Sequence, residues 1–543
     1  MTAGLFKEAD ELFNRLSVND FYSFTKNNFA NGTLINLSHE KAQHDSAECD
    51  AFQKRLYGFR NENKKIKEED AALLDAIDAY CNYVKTINKH YYYKFSVTHN
   101  TCPLPYIVKT LSLFPRNSSE EKERYLMLLS QLPEVLVQMR RKLVEQKERG
   151  VVIPKEGLEL SVSMFDGLRQ GSDSLLKRGF TSETEKMVAD YNSELNSFIT
   201  YLQNDYSDEI KIKALWEDEG GKEYYQSLIE IYTSSSLSPK EIHEIGLSEL
   251  ENTRSKQRDI LKLLGKSSDN FLEALQNDRL LRKMFYDSSP AMLQNRLDGY
   301  LDRTKTCLSD YFHRLPKTPC LLKRIDPARE GSTSWGYYAV PVGEEVNGIY
   351  YYSAAELDKR CQIRTAAIVF HELFPGHHLQ VSLIAEDEKL PKMCREHFNT
   401  AFADGWAEYA ADLANEMGLY NLYELYGRYM WDEILCVRLV VDTAVNGLGW
   451  PIEKIRSYMR ENTSLNESEI RTESLRYAVD NPGQALAYKM GSLHMRKLRV
   501  LAEKEEGFDI RDFHDALLRY GSIPLTLAEK NIRCYINRIK SVK

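Results

Sequence analysis

Apolar residues recur at intervals of three and four along most of this chain, and that spacing predicts a mostly α-helical protein. The segment 119–149 keeps the interval throughout and stops before a glycine, a residue that favours helix ends. Another helix is expected after Ser238, because Pro239 suits the first helical position and a glutamate two residues later completes a capping box. Helical patterns also cover 267–300 and most of the chain beyond residue 360.

One stretch departs from this pattern. Residues 320–356 are rich in Pro, Gly, Ser and aromatic side chains, and GIYYYS at 348–353 is short, aromatic and bounded by turn residues, which is typical of a strand. A small sheet is therefore expected beside the helix that follows. We expect residues 1–320 to form a helical scaffold lobe and residues 321–543 to form a catalytic lobe.

Composition excludes several functions. The chain has 543 residues, 43% of them hydrophobic, which is enough for a large buried core. A net charge of −8 without clustered basic residues argues against a nucleic-acid partner. No apolar run is long enough to span a membrane, and the charged N-terminal segment does not resemble a secretory signal. The nine cysteines form no CxxC pair, so we expect reduced thiols in a cytoplasmic protein.

Residues 371–378 read HELFPGHH, a variation on the zinc-peptidase pattern His-Glu-x-x-His. That pattern needs a histidine at the fifth position, which is Pro375 here. On a regular helix His378 would return to the face of His371 about 10 Å along the axis, and His377 would point elsewhere. Two nitrogens that bind one zinc at about 2.0–2.1 Å cannot be so far apart. A regular helix would therefore not form a metal site from these residues.

Pro375 and Gly376 alter this geometry. The proline lacks the N–H that would bond to the carbonyl of His371, and the glycine accepts unusual backbone angles. Together they would let the helix bulge by two residues and place His377 where the second histidine of the usual pattern lies. Glu372 would then be the general base that activates water at the metal. A chance cluster is the alternative, but three histidines and a glutamate within eight residues favour a metal site.

The third ligand is expected from the helical segment 401–418. It carries Asp404 and Glu408 one turn apart on the same side. Catalytic zinc takes three protein ligands and keeps an open position. The spacing leaves either acid as the ligand, and two acids on a solvated helix face as the plain alternative.

Two further stretches would complete a cleft. Tyr488 is a candidate hydrogen-bond donor to the oxyanion of a tetrahedral intermediate. The GIYYYS strand would offer an edge along which an extended peptide pairs through main-chain hydrogen bonds. Arg476 and Lys489 are candidate partners of a substrate carboxylate.

Five motifs in order carry a resemblance to a known family: HELFPGHHLQ, FADGWAEYA, RLVVDTAVNGLGW, RYAVDNPGQALAYKMG and FHDALLRYGSIPL. The series resembles the predicted zinc metallopeptidases catalogued as domain of unknown function 885, which are distantly similar to angiotensin-converting enzyme and thimet oligopeptidase. The signature His-Glu-x-x-Pro-Gly-His-His-x-Gln of that family matches residues 371–380 in full.

The resemblance implies a two-lobed, mostly α fold with a deep cleft and one zinc ion at its floor. It implies that His371 and His377 are zinc ligands and that His378 supports the site or faces the substrate. The third ligand of the family, the glutamate of a Glu-Gly-Trp triplet, corresponds to Asp404. The donor to the transition state corresponds to Tyr488.

The sequence departs from the family at two of these places. Asp404 is one methylene shorter than the glutamate of the family, so Glu408 remains the alternative ligand. Asn446 stands where the family usually has histidine, and it keeps a hydrogen-bond donor but loses any positive charge. Such changes leave altered specificity, a different metal and lost activity as open alternatives.

Three functions are consistent with these residues. The leading hypothesis is a zinc-dependent peptidase that hydrolyses short peptides or amino-acid conjugates, because a deep cleft would admit extended oligopeptides and exclude folded proteins. A metal-dependent amide hydrolase of a specialised metabolite is one alternative. A non-catalytic descendant that binds a ligand in the same cleft is the other. The presence of His371, Glu372, His377 and Tyr488 together favours an enzyme.

Overall fold

The computed structural model describes residues 2–16, 32–63, 65–176, 182–206, 212, 214–267, 271–327, 330, 335–341 and 346–541. Most of these residues lie in helices, and a small sheet of three strands precedes the HELFPGHH segment, so the expected mostly α fold is confirmed. No helix within the described residues is long and apolar enough to cross a lipid bilayer. All nine cysteines are unpaired.

Helices make up most of the described residues before the sheet. The expected helix 119–149 is two helices separated by Ser130 and Gln131, because Pro133 favours a new helix start. The helix expected after Ser238 is present with its capping box. The bounds are α1 (Thr2–Arg15), α2 (His39–Glu62), α3 (Glu68–Lys89), α4 (Leu104–Ser112), α5 (Ser119–Leu129), α6 (Leu132–Glu148), α7 (Lys155–Leu176), α8 (Ser182–Asn204), α9 (Gly221–Thr233), α10 (Pro239–Leu263), α11 (Phe271–Asn277), α12 (Arg279–Phe285), α13 (Pro290–Lys305) and α14 (Leu308–Tyr311).

The sheet consists of β1 (Cys320–Arg324), β2 (Gly336–Ala339) and β3 (Gly348–Tyr352) in the order β1-β3-β2. β3 pairs in parallel with β1 and antiparallel with β2. The GIYYYS segment is therefore the central strand, and the expectation that it offers an open edge is wrong. Its nearly continuous run of buried residues suits a strand covered on both sides. Within the described sheet, β2 presents the open edge on the side of the candidate site.

Helices resume after the sheet, with breaks near 448–451 and 519–524 where glycine and proline predicted them. A single π-helical turn, Arg476–Asp480, precedes the break at Asn481. The bounds are α15 (Thr365–Glu372), α16 (His377–Ala385), α17 (Lys392–Glu396), α18 (Thr400–Glu416), α19 (Leu422–Gly447), α20 (Ile452–Asn462), α21 (Glu467–Leu475), α22 (Leu486–Ala502), α23 (Ile510–Leu518) and α24 (Leu525–Ser541).

Two large apolar clusters form most of the core. The first joins α1–α3 and α13 to the sheet, α15–α18 and α22–α24. The second joins α4–α8 to α19–α21. Both contain residues from before and after position 320, so the core is shared across the boundary expected between the two lobes. The candidate site lies where the clusters meet, since Tyr338 of the first and Ile35 of the second line the same cavity.

The close crossing of α18 and α22 depends on two glycines. A Cβ atom added at Gly405 would lie 2.6 Å from the Cα atom of Gly491. A Cβ atom at Gly491 would overlap the carbonyl oxygen of Ala401. Because neither helix has a side chain at the crossing, α18 with Asp404 can approach α22 with Tyr488.

We expect Gly491→Ala to separate α18 from α22 and to lower the free energy of unfolding by about 1–3 kcal/mol, the usual cost of overpacking. Thermal or denaturant unfolding measures the change. Gly299→Ala is the matched control, because Gly299 lies in a helix and no atom lies within 4 Å of an added Cβ. Equal stability of the two variants would contradict the assigned role of the glycine contact.

Candidate metal centre

The HELFPGHH segment is a broken helix. α15 ends at Glu372 and α16 begins at His377, and the Phe374–Pro375 peptide bond between them is cis. The helix therefore does not bulge by two residues, as expected, but breaks completely between Glu372 and His377. A Cβ atom at Gly376 would overlap the carbonyl group of His371, so only glycine fits there. The break brings the His377 ring to 4.7 Å from the His371 ring, centroid to centroid.

Trp406 stabilises this break. Its indole Nε1 donates to the carbonyl oxygens of Pro375, at 3.2 Å, and Gly376, at 3.3 Å. The indole is fully buried. Trp406 lies two residues after Asp404 on α18, so it ties the helix break to the candidate ligand.

Asp404, His371 and His377 converge at the floor of the cleft. Their ligand atoms all lie within 4.8 Å of one another, and His377 Nε2 lies 3.3 Å from Asp404 Oδ1. The ligands of one tetrahedral zinc ion at its usual bond lengths are about 3.4 Å apart. The three side chains are more than nine-tenths buried, so each needs a partner. The donor set fits a divalent cation after a small contraction.

Glu408 has a different role from Asp404. Its carboxylate is fully buried, with Oε1 2.9 Å from His371 Nδ1 and Oε2 2.9 Å from the Arg428 guanidinium, and it accepts a hydrogen bond of 2.8 Å from Trp431 Nε1. Burial would raise the pKa of Glu408, but Arg428 and His371 outweigh it and lower the pKa to about 2. The carboxylate thus stays charged and holds His371 by Nδ1, which leaves Nε2 for a metal. Of the two candidate acids, Asp404 is the one that reaches the cleft.

We expect Glu408→Gln to weaken metal binding by about 10- to 100-fold, the usual effect of losing the carboxylate behind a ligating histidine. Competition with a fluorescent zinc chelator measures the affinity. Trp431→Phe is the control, because it removes one hydrogen bond to Glu408 but keeps the carboxylate on His371. An unchanged affinity in Glu408→Gln would show that His371 is not oriented for a metal by this contact.

Glu372 lines the cleft next to the sheet. The backbone N–H of Tyr338 in β2 donates to Glu372 Oε2 at 3.2 Å. In an antiparallel pair, the main-chain groups of successive residues point alternately towards the partner strand and away from it. Trp335 accepts from the Ser353 N–H and so faces β3. Tyr338, three residues later, therefore points its N–H and C=O to the open edge. The edge of β2 thereby positions the candidate base.

His378 is a structural residue that does not face the cleft. It is fully buried, and burial lowers its pKa to about 4, so the ring is neutral. Nε2 lies 3.1 Å from the carbonyl oxygen of Thr318 and must donate to it, so Nδ1 accepts from the Tyr338 hydroxyl at 2.9 Å. The substrate-facing alternative for His378 is therefore wrong. The residue fixes Tyr338, and Tyr338 in turn holds Glu372.

We expect His378→Phe to keep its metal and to lose about 1–3 kcal/mol of stability, because Tyr338 and Thr318 would be left without a buried partner. His377→Phe should lose the metal. Metal content after dialysis, together with thermal unfolding, distinguishes the two variants. Loss of metal from His378→Phe would assign the second ligand to His378 and contradict this arrangement.

Tyr488 lines the cleft next to His371. The two rings are stacked, with centroids 6.2 Å apart and planes 15° apart. Arg476 Nη2 lies 3.5 Å from the Tyr488 hydroxyl, and the Arg438 guanidinium lies 5.1 Å from the ring centroid. Burial raises the pKa of Tyr488 above its ordinary value, so the hydroxyl remains a donor. Arg476 also donates a hydrogen bond to Gln484, which fixes the guanidinium beside the Tyr488 hydroxyl.

Lys489 and Asn446 do not reach the cleft either. Lys489 forms a buried ion pair with Asp432 at 2.9 Å, because a residue adjacent to Tyr488 on α22 points about 100° away from it. Asn446 is fully buried and donates to the backbone carbonyl of Tyr477 at 2.9 Å. The structure therefore places neither residue where it could contact a substrate.

The cleft has a volume of about 330 Å³. Its second wall was missed by sequence reasoning, because its residues come from distant segments without a recognisable spacing. They include Ile35, Asn100, Thr101, Tyr232 and Gln484. Ile35 belongs to the second core cluster and Tyr232 packs against a smaller cluster around Tyr225, so this wall depends on packing between segments far apart in sequence.

A mostly helical fold with two histidines, an aspartate and a glutamate in one cleft defines a protein with a candidate metal centre. The chain belongs to the family described as "Bacterial protein of unknown function (DUF885)", whose model matches residues 23–532. No curated protein matches the sequence.

Two solved structures share the fold. A putative lipoprotein from Colwellia psychrerythraea has a TM-score of 0.85 at 22% sequence identity, and the match covers 98% of this chain and 99% of that chain. A putative lipoprotein of unknown function from Shewanella oneidensis has a TM-score of 0.68 at 15% identity, with the same coverage. The description of both neighbours as lipoproteins conflicts with the cytoplasmic location expected from the sequence, and that expectation is withdrawn.

Proposed function

We propose that this protein is a zinc-dependent hydrolase of peptide or amide bonds in short substrates. The observation that carries the proposal is the convergence of three buried metal-type donors, His371, His377 and Asp404, with Glu372 and Tyr488 in one cleft. Two imidazoles and a carboxylate are a common ligand set of catalytic zinc. When bound, the ion would supply a Lewis acid that lowers the pKa of water and polarises the substrate carbonyl.

Glu372 is the general base in this proposal. Its carboxylate lines the cleft beside His371 and is held by the Tyr338 N–H, which leaves oxygen lone pairs to accept a proton from the attacking water. The same carboxyl group then returns the proton to the leaving amine, so the proton balance closes. Because Glu372 lies next to His371, its carboxylate is placed both to take the proton from water and to return it to the amine.

Tyr488 is the donor to the developing oxyanion. Its ring stacks on His371, and its hydroxyl is positioned by Arg476. A preorganised donor of this kind stabilises the tetrahedral intermediate more than the ground-state carbonyl. The nearby guanidinium groups of Arg438 and Arg476 favour the accumulation of negative charge there.

The size and edge of the cleft favour short, extended substrates. A volume of about 330 Å³ is near the lower end of ordinary ligand pockets, which supports a few residues and no folded domain. The outward C=O of Tyr338 is available for one main-chain hydrogen bond to a segment laid along β2. Both features also suit an amide conjugate of similar length.

We expect Glu372→Gln to bind zinc normally and to lower kcat by at least about 100-fold, the usual contribution of a general base. Hydrolysis of a library of short peptides by the zinc-loaded protein, followed by mass spectrometry, measures the activity. Glu251→Gln is the control, because Glu251 lies on the exposed surface of α10.

The library also separates the alternatives. Cleavage that depends on Glu372 supports the peptidase. No cleavage of any peptide by a protein that binds zinc would overturn peptide hydrolysis, and a screen of amide conjugates would then decide whether amide hydrolysis stands. Equal activity in wild type and Glu372→Gln would exclude Glu372 as the base.

A further inference from the structure

The two ends of the cleft differ in chemistry. On the Tyr488 side, several lining residues are amides and hydroxyls. Asn481 accepts a hydrogen bond from the Tyr232 hydroxyl at 3.1 Å, and Gln484 precedes Tyr488 by four residues. Asn100 completes this side and donates to Asp480 at 2.6 Å. Such groups bond readily to the main-chain amides of a substrate.

The His377 side carries aromatic and aliphatic side chains, next to the polar residues His397, Asn399 and Thr400 that also line the cavity. The Phe398 ring lies 5.9 Å from the His377 ring, and Val381 follows His377 by one helical turn on the same face of α16. Tyr83 lines the cavity from α3, and Val340 lines it from the end of β2. None of these four side chains carries a charge, and three of them offer no hydrogen-bonding group at all.

The physical consequence is that this end of the cleft prefers an apolar substrate side chain to a polar one. A polar side chain buried against valine and phenylalanine would lose its hydrogen bonds to water without replacement. A large apolar side chain would instead remove its own surface and that of the subsite from water. Because Phe398 lies next to a candidate ligand, the side chain concerned belongs to a residue close to the bond that is cleaved.

We propose that Val340, Val381, Phe398 and Tyr83 form a subsite for a large apolar or aromatic side chain of the substrate. The identity of that substrate as a peptide rests on the proposed function, but the subsite itself rests on the lining residues alone. The amide-rich end would hold the main chain, and the apolar end would select the sequence. The protein would accordingly act on peptides with an aromatic or large aliphatic residue beside the scissile bond.

Binding tests the subsite without catalysis. The full-length Glu372→Gln variant, with and without zinc, is titrated calorimetrically with N-acetyl-Gly-Phe-Gly amide and with N-acetyl-Gly-Gln-Gly amide. We expect the phenylalanine peptide to bind about 10- to 100-fold more tightly, the range that burial of one large apolar side chain supplies. Equal affinities, or no binding of either peptide, would overturn the proposal.

Substitutions at Val381 test the residues. In the Glu372→Gln background, Val381→Thr keeps the shape of the side chain and adds a hydroxyl, and Val381→Asp adds a charge. Both should reduce the preference for phenylalanine, and Val381→Asp should reduce it more. Val500→Asp is the control, because Val500 is exposed on α22 outside the cleft. A preference unaffected by either change at Val381 would overturn the assignment.

The two proposals fail separately. A preference for the phenylalanine peptide in a protein that hydrolyses no peptide would support the subsite and overturn the peptidase. Hydrolysis of phenylalanine and glutamine peptides with equal kcat/KM would support the peptidase and overturn the subsite.

Discussion

The hydrogen bonds from the Trp406 indole to Pro375 and Gly376 connect the two halves of the candidate site. The break in HELFPGHH leaves backbone carbonyls buried, and an unsatisfied carbonyl there would cost about 1–3 kcal/mol. The indole that satisfies them sits two residues after Asp404 on α18. The same helix therefore supplies a candidate ligand and fixes the backbone that carries the histidines. A shift of α18 would disturb both at once.

The Asp404-Gly405-Trp406 triplet is best understood as one unit with three contacts. Asp404 points to His377, Gly405 lies against Gly491 of α22, and Trp406 binds the broken helix. Successive residues on a helix point about 100° apart, so three adjacent positions can serve three different neighbours. Because Gly405 lets α22 approach, it also controls how far Tyr488 lies from the ligands. Asp404, with its shorter side chain, therefore lies beside a helix crossing that has no room for a side chain between α18 and α22.

Sequence reasoning succeeded where a local rule determines the structure. The helical periodicity, the capping box at Ser238 and the aromatic strand at 348–353 each depend on neighbouring residues alone. It failed where a partner distant in sequence decides the outcome. The GIYYYS strand became central because β1 and β2 pair with its two sides. His378 turned inward because its ring accepts a hydrogen bond from the Tyr338 hydroxyl and donates one to the Thr318 carbonyl. The spacing of the acids could not separate Asp404 from Glu408, since only Arg428 and Trp431 show which of them is held behind His371.

The proposed apolar subsite explains why specificity is harder to infer than chemistry. Candidate ligands occur as a compact motif because a metal requires its donors within a few ångströms of one another. A subsite for a substrate side chain does not require its residues to lie so close together. Residues from α3, the end of β2, α16 and the segment before α18 can therefore share one subsite. Each of these residues is unremarkable in its own segment. Tyr83, Val340 and Val381 come together only because their segments pack against the first core cluster, and mutations in that packing would change selectivity while the ligands stay in place.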